Sequence, residues 1–198
     1  MYDELPVINT ARLTLRIAGP EDAAQCVQFQ RENAAFLAPW EPEITPNALD
    51  VAAVAKLREL AVADALAGTR FAFALYPSDP QAETPIVGFL DLTNVIRGVF
   101  QACYMGYKLD RRMEGYGYMS EAARAAIGYA FNTLRLHRIM ANYMPHNQRS
   151  AALLRRLGFT IEGVARDYLY IAGGWRDHVM TSLTNPEPMA PGTASSTT

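Results

Sequence analysis

Arg112, Gly115 and Gly117 form an Arg-x-x-Gly-x-Gly pattern within Arg112-Met-Glu-Gly115-Tyr-Gly117. It lies between a segment that reads as a strand ending near Leu109 and one that reads as a helix starting near Gly117. Glycines let successive backbone N–H groups converge on an anion, and a helix N-terminus adds the positive end of its dipole. A pyrophosphate suits such a loop. The pattern lacks the Gly-Lys-Ser/Thr of a Walker loop and the third spaced glycine of a dinucleotide fingerprint. Other chemistry-bearing residues are sparse. Cys26 and Cys103 are too far apart to suggest a disulfide framework or a zinc site. Cys103, set among aromatics, reads as a small buried hydrophobe. His137, His146 and His178 lack metal-ligand spacing, so no metal is expected. Trp40 sits in the run Phe36 to Pro46, whose three prolines preclude a continuous helix, and reads either as packing or as a lid over a substrate groove, the loop position favouring the groove.

These residues need elements to hold them. Alternation at Leu13 to Ile17 predicts a strand. Pro20-Glu21-Asp22 opens a helix that runs to about Asn33. After the proline loop, a helix is expected from Ala48 to Ala67, stopped by Gly68. A strand follows at Phe71 to Tyr76, then a turn at Pro77 to Pro80. Strands at Ile86 to Val95 and Ala102 to Leu109 are joined by a turn at Arg97-Gly98. From Met119 to Leu134 the apolar residues fall on one helical face, predicting one long helix. Arg138 to Tyr143 reads as a strand. Asn147 can cap a helix to Leu157, with Gly158 as its stop. Phe159 to Val164, Tyr168 to Ile171 and Trp175 to Leu183 read as strands, the last two joined at Gly173-Gly174. The result is an α/β (α+β) domain over residues 1–184, a mixed sheet with helices on both faces. Residues 185–198, rich in Pro, Ser and Thr, are expected to form a disordered tail.

Of the 198 residues, 50% are hydrophobic and 19% charged, which excludes a wholly disordered chain. No apolar run is long enough for a membrane helix, and the acidic start Met1-Tyr2-Asp3-Glu4 carries no signal-peptide pattern. A cytoplasmic protein is expected. No nucleic-acid-binding motif is found. The net charge of −2 hides a split: residues 1–107 hold 7 basic and 13 acidic residues, residues 108–178 hold 11 and 6. The basic half suits a phosphate-bearing ligand and the acidic half a cationic partner.

Arg112-x-x-Gly115-x-Gly117 resembles motif A of the GNAT acyltransferases. Asn147-x-x-Ser150-Ala-x-Leu153-x-x-x-Leu157-Gly158-Phe159 resembles motif B of their Rim-type branch. Phe100 to Tyr107, His137 to Asn147, Trp175-Arg-Asp-His178 and Pro39-Trp40-Glu41-Pro42 are similar to the RimJ-type, ribosomal-protein-alanine members. The resemblance spans about residues 10–184. It implies a mostly antiparallel central sheet and acetyl-CoA as co-substrate.

Residue by residue, the resemblance implies that main-chain groups of Tyr107, Lys108 and Leu109 hold the pantetheine arm and thioester carbonyl. Met113, Glu114, Gly115, Tyr116 and Gly117 would offer N–H groups to the pyrophosphate, with charge from Arg111 or Arg112. Asn147 would touch the pantetheine, and Ser150 would protonate the leaving sulfur, with Tyr143 and Tyr168 as other donors. Trp40, Glu41 and Tyr168 would line the acceptor groove. Relatives place a glutamate base where Tyr104 stands, or in the strand after motif B, where Asp167-Tyr-Leu-Tyr170 has none. Asp167 and Glu41 are the acids that remain. The implied reaction is direct acetyl transfer, without an acyl-enzyme, to the N-terminal alanine of a small-subunit ribosomal protein, with association with the ribosome. The alternatives are a small-molecule amine as acceptor, or a non-catalytic module that binds CoA or serves ribosome assembly.

Overall fold

Leu13, Leu15 and Ile17 are buried while Thr14 and Arg16 between them are only partly so, the alternation of a strand with one face on a core. In the computed structural model, which describes residues 3–43, 45–79 and 85–187, this strand is β2 (Leu13–Ile17). It is preceded by β1 (Val7–Asn9) and followed by α1 (Ala23–Leu37) and α2 (Val51–Ala67). Then come β3 (Phe71–Pro77), β4 (Gly88–Ile96), β5 (Ala102–Leu109), α3 (Tyr118–Gly128), β6 (Arg138–Tyr143), α4 (Gln148–Arg156), β7 (Thr160–Ile171) and β8 (Gly174–Thr184). The strands form one sheet in the order β1-β2-β3-β4-β5-β6-β8-β7. Every pairing is antiparallel except β5 with β6. The mixed, mostly antiparallel α/β architecture is the one expected.

Two packed layers flank the sheet. Phe29 and Val27 of α1, Val54 of α2 and Ala74 of β3 cluster on one face. On the other, Phe71 and Phe73 meet Tyr129 at ring separations of 5.3 and 5.8 Å, and Met119, Ala122 and Ala126 of α3 pack with Leu153 and Leu154 of α4.

Several boundaries differ from the sequence reading. Residues 20–22 form a 3-10 turn, and α1 continues through Phe36 to Leu37, because the first of the three prolines stands only at Pro39. The second helix starts at Val51, where the Asp50 carboxylate accepts the Ala53 N–H at 2.7 Å; Pro46 to Leu49 form a separate 3-10 turn. The helix expected to reach Leu134 ends at Gly128 and passes into a π turn over Tyr129–Thr133. That widened turn keeps Ala130 and Phe131 buried. The two strands expected between Phe159 and Ile171 are one, β7, with register shifts near Gly163 and between Ala165 and Leu169. Strand β1 has no counterpart in the sequence reading. Asn185 is tied to the body of the fold, its N–H donating to His137 O at 2.8 Å. Residues 188–198 of the expected tail, and Pro80 of the expected turn, lie outside the described residues.

Candidate active site

The parallel pairing of β5 with β6 covers only Ala102–Arg138, Cys103–Ile139 and Tyr104–Met140. Beyond Tyr104, β5 continues to Leu109 on β4 alone, and β6 continues to Tyr143 on β8 alone. The two strands therefore separate. Backbone direction alternates along a strand. Gln101 O accepts N–H groups from His137 and Arg138, and Asp110 N–H donates to Val87 O at 2.8 Å. By that alternation the main-chain groups of Tyr107 and Leu109 turn toward the opening, where the ladder to β6 has stopped. They are placed to pair with an extended ligand as a further strand would.

The glycine loop closes one end of this fork. Asp110 caps a 3-10 turn at Arg111–Met113. Gly115 and Gly117 have φ of +83° and +82°, a left-handed region that favours glycine, and Gly117 is the N-cap of α3. A Cβ at Gly115 would meet nothing within 4 Å, so the backbone conformation and not crowding is what calls for glycine there. Arg12, just before β2, braces the loop, donating to Tyr116 O at 3.0 Å, pairing with Glu121 at 2.6 Å and lying 4.3 Å over the Tyr118 ring. Glu114 pairs with Arg149 of α4. Met113 packs against the core.

The Arg112 side chain differs from its expected role. Its guanidinium is held at 2.7 Å by Asp110 and 2.6 Å by Glu32, so it braces the loop from outside. Arg111 is exposed and, among the described residues, has no ion pair.

The opening has two walls, because neighbouring residues of β5 face opposite sides. On the α4 side, Tyr107 lies near Ser150, and burial pushes its phenol up to about 12 against the lowering effect of that serine. Asn147 spends its side-chain oxygen capping α4, accepting the Ser150 N–H at 3.1 Å. On the α1 side, Lys108 pairs with Glu41 at 2.8 Å and donates to Gln30 at 3.2 Å. Trp40 stacks obliquely on His146 with ring centres 5.3 Å apart. Glu41 O accepts the Ala172 N–H at 3.2 Å, tying the proline loop to the β7–β8 hairpin. Between them is a cleft of about 460 Å³ lined by Ala34, Ala38, Glu41, Pro42, Glu43 and Ala172.

Tyr168 reaches the point where the fork opens. It lies near Tyr104 and Asn142, and burial followed by Tyr104 raises its phenol above the ordinary value against the lowering effect of Asn142. His178 lies beneath it, 5% exposed, with ring centres 5.5 Å apart and Nδ1 3.0 Å from Arg176 O. Asp167 stands apart. It is exposed at the irregular part of β7, with φ of +46°, and its N–H donates to Asp177 Oδ1 at 2.9 Å. So Ser150 and Glu41 flank the fork from opposite faces, and Asp167 joins neither. Sequence reasoning missed Asn33, Asn142 and the bracing by Arg12. Only Asn33 carried a signal, a polar residue one turn after Phe29 on the buried stripe of α1.

Among the described residues no cluster of His, Cys, Asp or Glu could hold a metal. No helix of the described residues is long and apolar enough to cross a membrane.

Residues 12–160 match the acetyltransferase (GNAT) domain model. The chain is 44% identical over 185 residues, 91% of each chain, to the [ribosomal protein uS5]-alanine N-acetyltransferase of Escherichia coli. Among solved structures, the ribosomal-protein-S5-alanine acetyltransferase of Vibrio fischeri superposes with a TM-score of 0.88 at 32% identity, covering 93% of this chain and 100% of that one. Mycobacterium smegmatis RimJ, in complex with CoA-disulfide, superposes with a TM-score of 0.81 at 26% identity, covering 95% and 93%. The forked sheet, the glycine loop and these likenesses agree: the chain belongs to the GNAT acetyltransferases, which use acetyl-CoA, and is an N-acetyltransferase of that type.

Proposed function

We propose that this enzyme transfers an acetyl group from acetyl-CoA directly to the α-amine of an N-terminal alanine on a small-subunit ribosomal protein. The observation that carries the acceptor is the 44% identity, over 91% of both chains, to an enzyme named for alanine on uS5. The α1-side cleft is consistent with it. Ala34, Ala38 and Ala172 leave room for a small apolar side chain, and Glu41 and Glu43 suit a cationic chain end.

The acceptor lightens the demand on the protein. An α-amino group has a pKa near 7.7–8.0, against ~10.4 for lysine, so roughly a tenth of such amines are neutral at neutral pH. In the reaction the amine nitrogen bonds to the carbonyl carbon, the carbon–sulfur bond breaks, the amine loses a proton and the sulfur gains one. Main-chain groups of Tyr107 and Leu109 hold the pantetheine arm and carbonyl by strand-like pairing. The loop over Met113 to Gly117 holds the pyrophosphate. Ser150, backed by Tyr107, supplies the proton to sulfur from the α4 side. The amine enters from the α1 side, where Trp40, Glu41 and Tyr168 orient it. Placing proton donor and acceptor amine on opposite faces of β5 keeps the two proton transfers apart.

The test is turnover with acetyl-CoA and an N-terminal alanine peptide copied from the ribosomal protein, read by mass spectrometry. A peptide with a blocked α-amine and free lysines is the control. Acetylation of the free-amine peptide alone is expected; modification of the blocked peptide, or of neither, would count against the assignment.

A further inference from the structure

Asn33 and Asp110 are 2% and 1% exposed, and they are far apart in sequence. Asn33, on α1, uses its whole side-chain amide. Nδ2 donates to Phe29 O at 3.0 Å and to Asp110 Oδ2 at 3.2 Å, and Oδ1 accepts the Arg111 N–H at 3.0 Å. Asp110 accepts the Arg112 N–H and Nε–H on Oδ1 at 2.8 and 3.0 Å, and Nη2–H on Oδ2 at 2.7 Å. The N–H groups of Arg111 and Arg112, and hence the entry to the glycine loop, are thus fixed by one buried amide and one buried carboxylate. Buried polar groups of this kind are costly unless fully bonded, so the pair tolerates only one loop position. The same helix reaches the acceptor side. Gln30 accepts from Lys108, and the segment that follows α1 carries Trp40 and Glu41, which grips Lys108.

We propose that Asn33 and Asp110 are positioning residues for acetyl-CoA: through them α1 fixes the loop from Arg111 to Gly117 in its anion-binding form. This rests on the cofactor assignment above but not on the identity of the acceptor. Neither residue touches the ligand. Their effect is to keep the loop N–H groups converged before binding, so their loss is read in affinity rather than in the chemical step.

Calorimetric titration of the full chain with CoA tests this. Asn33→Ala is expected to weaken CoA binding about ten-fold, the consequence of leaving buried partners unsatisfied. At saturating acetyl-CoA its kcat and acceptor KM should stay close to those of the parent. Asn33→Asp keeps the side-chain shape but sets a second carboxylate against Asp110. Its affinity should fall likewise and recover, relative to the parent, on acidification as the pair takes up a proton. That recovery separates positioning from general destabilisation, and it remains readable if Asn33→Ala does not fold. CoA affinity unchanged in both variants, or an Asn33→Asp defect insensitive to pH, would overturn the proposal. CoA binding by the parent without peptide turnover would count against the acceptor alone and leave this comparison intact. No CoA binding by the parent would overturn both.

Discussion

Ser150 and Tyr107 lie near each other across the fork, one on α4 and the other on β5. The phenol beside the serine is held protonated to about 12 by burial, so it stays neutral throughout the working pH range. Ser150→Ala should therefore lower kcat by about 10²-fold, the lower end of general acid–base contributions, with little change in the KM for acetyl-CoA. Tyr107→Phe should give a smaller loss of the same kind. Steady-state kinetics on both variants decide it: a rise in KM with unchanged kcat would assign Ser150 to binding alone. At this scale the sequence was legible where a residue acts through its own neighbours. Asn147 could be read as a cap because capping is a contact three residues long. Asn33 could not be assigned, because its partner Asp110 is brought to it only by the packing of α1 on β5. Arg112 was visible as a charge, but its engagement by Asp110 and Glu32 was not.

Among the elements, the site depends on a ladder that stops. Pairing of β5 with β6 ends at Tyr104, and the glycine loop then turns the chain into α3. The strands, the loop and the helix were each legible from alternation, glycine and apolar spacing. The gap between β5 and β6 was not, since where the pairing of two strands distant in sequence stops is set by tertiary packing and is not marked within either strand. Nor was the π turn, because Ala130, Phe131 and Leu134 fit the helical stripe until one extra residue shifts its phase. Strand β1 is too short to show a period. Gly115 isolates what the loop contributes. Its left-handed backbone disfavours any L-residue by roughly 1–2 kcal/mol, while no neighbouring atom would obstruct a methyl group. Gly115→Ala should accordingly lower stability by about 1 kcal/mol and weaken CoA binding several-fold without altering the acceptor KM. Urea unfolding and CoA titration measure the two effects separately. An unaffected CoA affinity would remove the loop from the binding site.

Across the whole molecule, the elements that frame the site are joined by carboxylates whose acidity is strengthened by folding. Burial pushes Asp22 upward, but the Arg16 guanidinium of β2 and the Gly19 N–H outweigh it and leave it below its ordinary range. Asp110 behaves likewise: burial is opposed by Arg112, its N–H and Asn33. So does Glu121 of α3, opposed by Thr10 and Arg12 beside β2. Glu162 of β7 is held down chiefly by Arg138 of β6, with Ser182 of β8 adding to it. Asp22 ties β2 to the turn before α1, Asp110 meets α1 through Asn33, Glu121 ties α3 to the segment before β2 and Glu162 ties β7 to β6 and β8, so protonation loosens the frame at several points together. The sign follows from linkage. A carboxyl whose folded pKa is depressed adds stability that is fully present above its unfolded pKa, near 3.9 for Asp and 4.3 for Glu, and lost as pH falls through the folded value. The melting temperature should hold on the neutral side of that window and fall steeply below about pH 4. Asp22→Asn should be less stable than the parent at neutral pH, yet lose less on acidification, because one of the groups that must take up a proton is gone. The buried side chain of Asp22 and its double contact with Arg16 at 2.7 Å make this a suitable variant for the comparison. Thermal unfolding of both proteins across the acid range provides the comparison. Parallel curves would mean that Asp22 has the same acidity folded and unfolded, and that the acid sensitivity of the molecule resides in other groups.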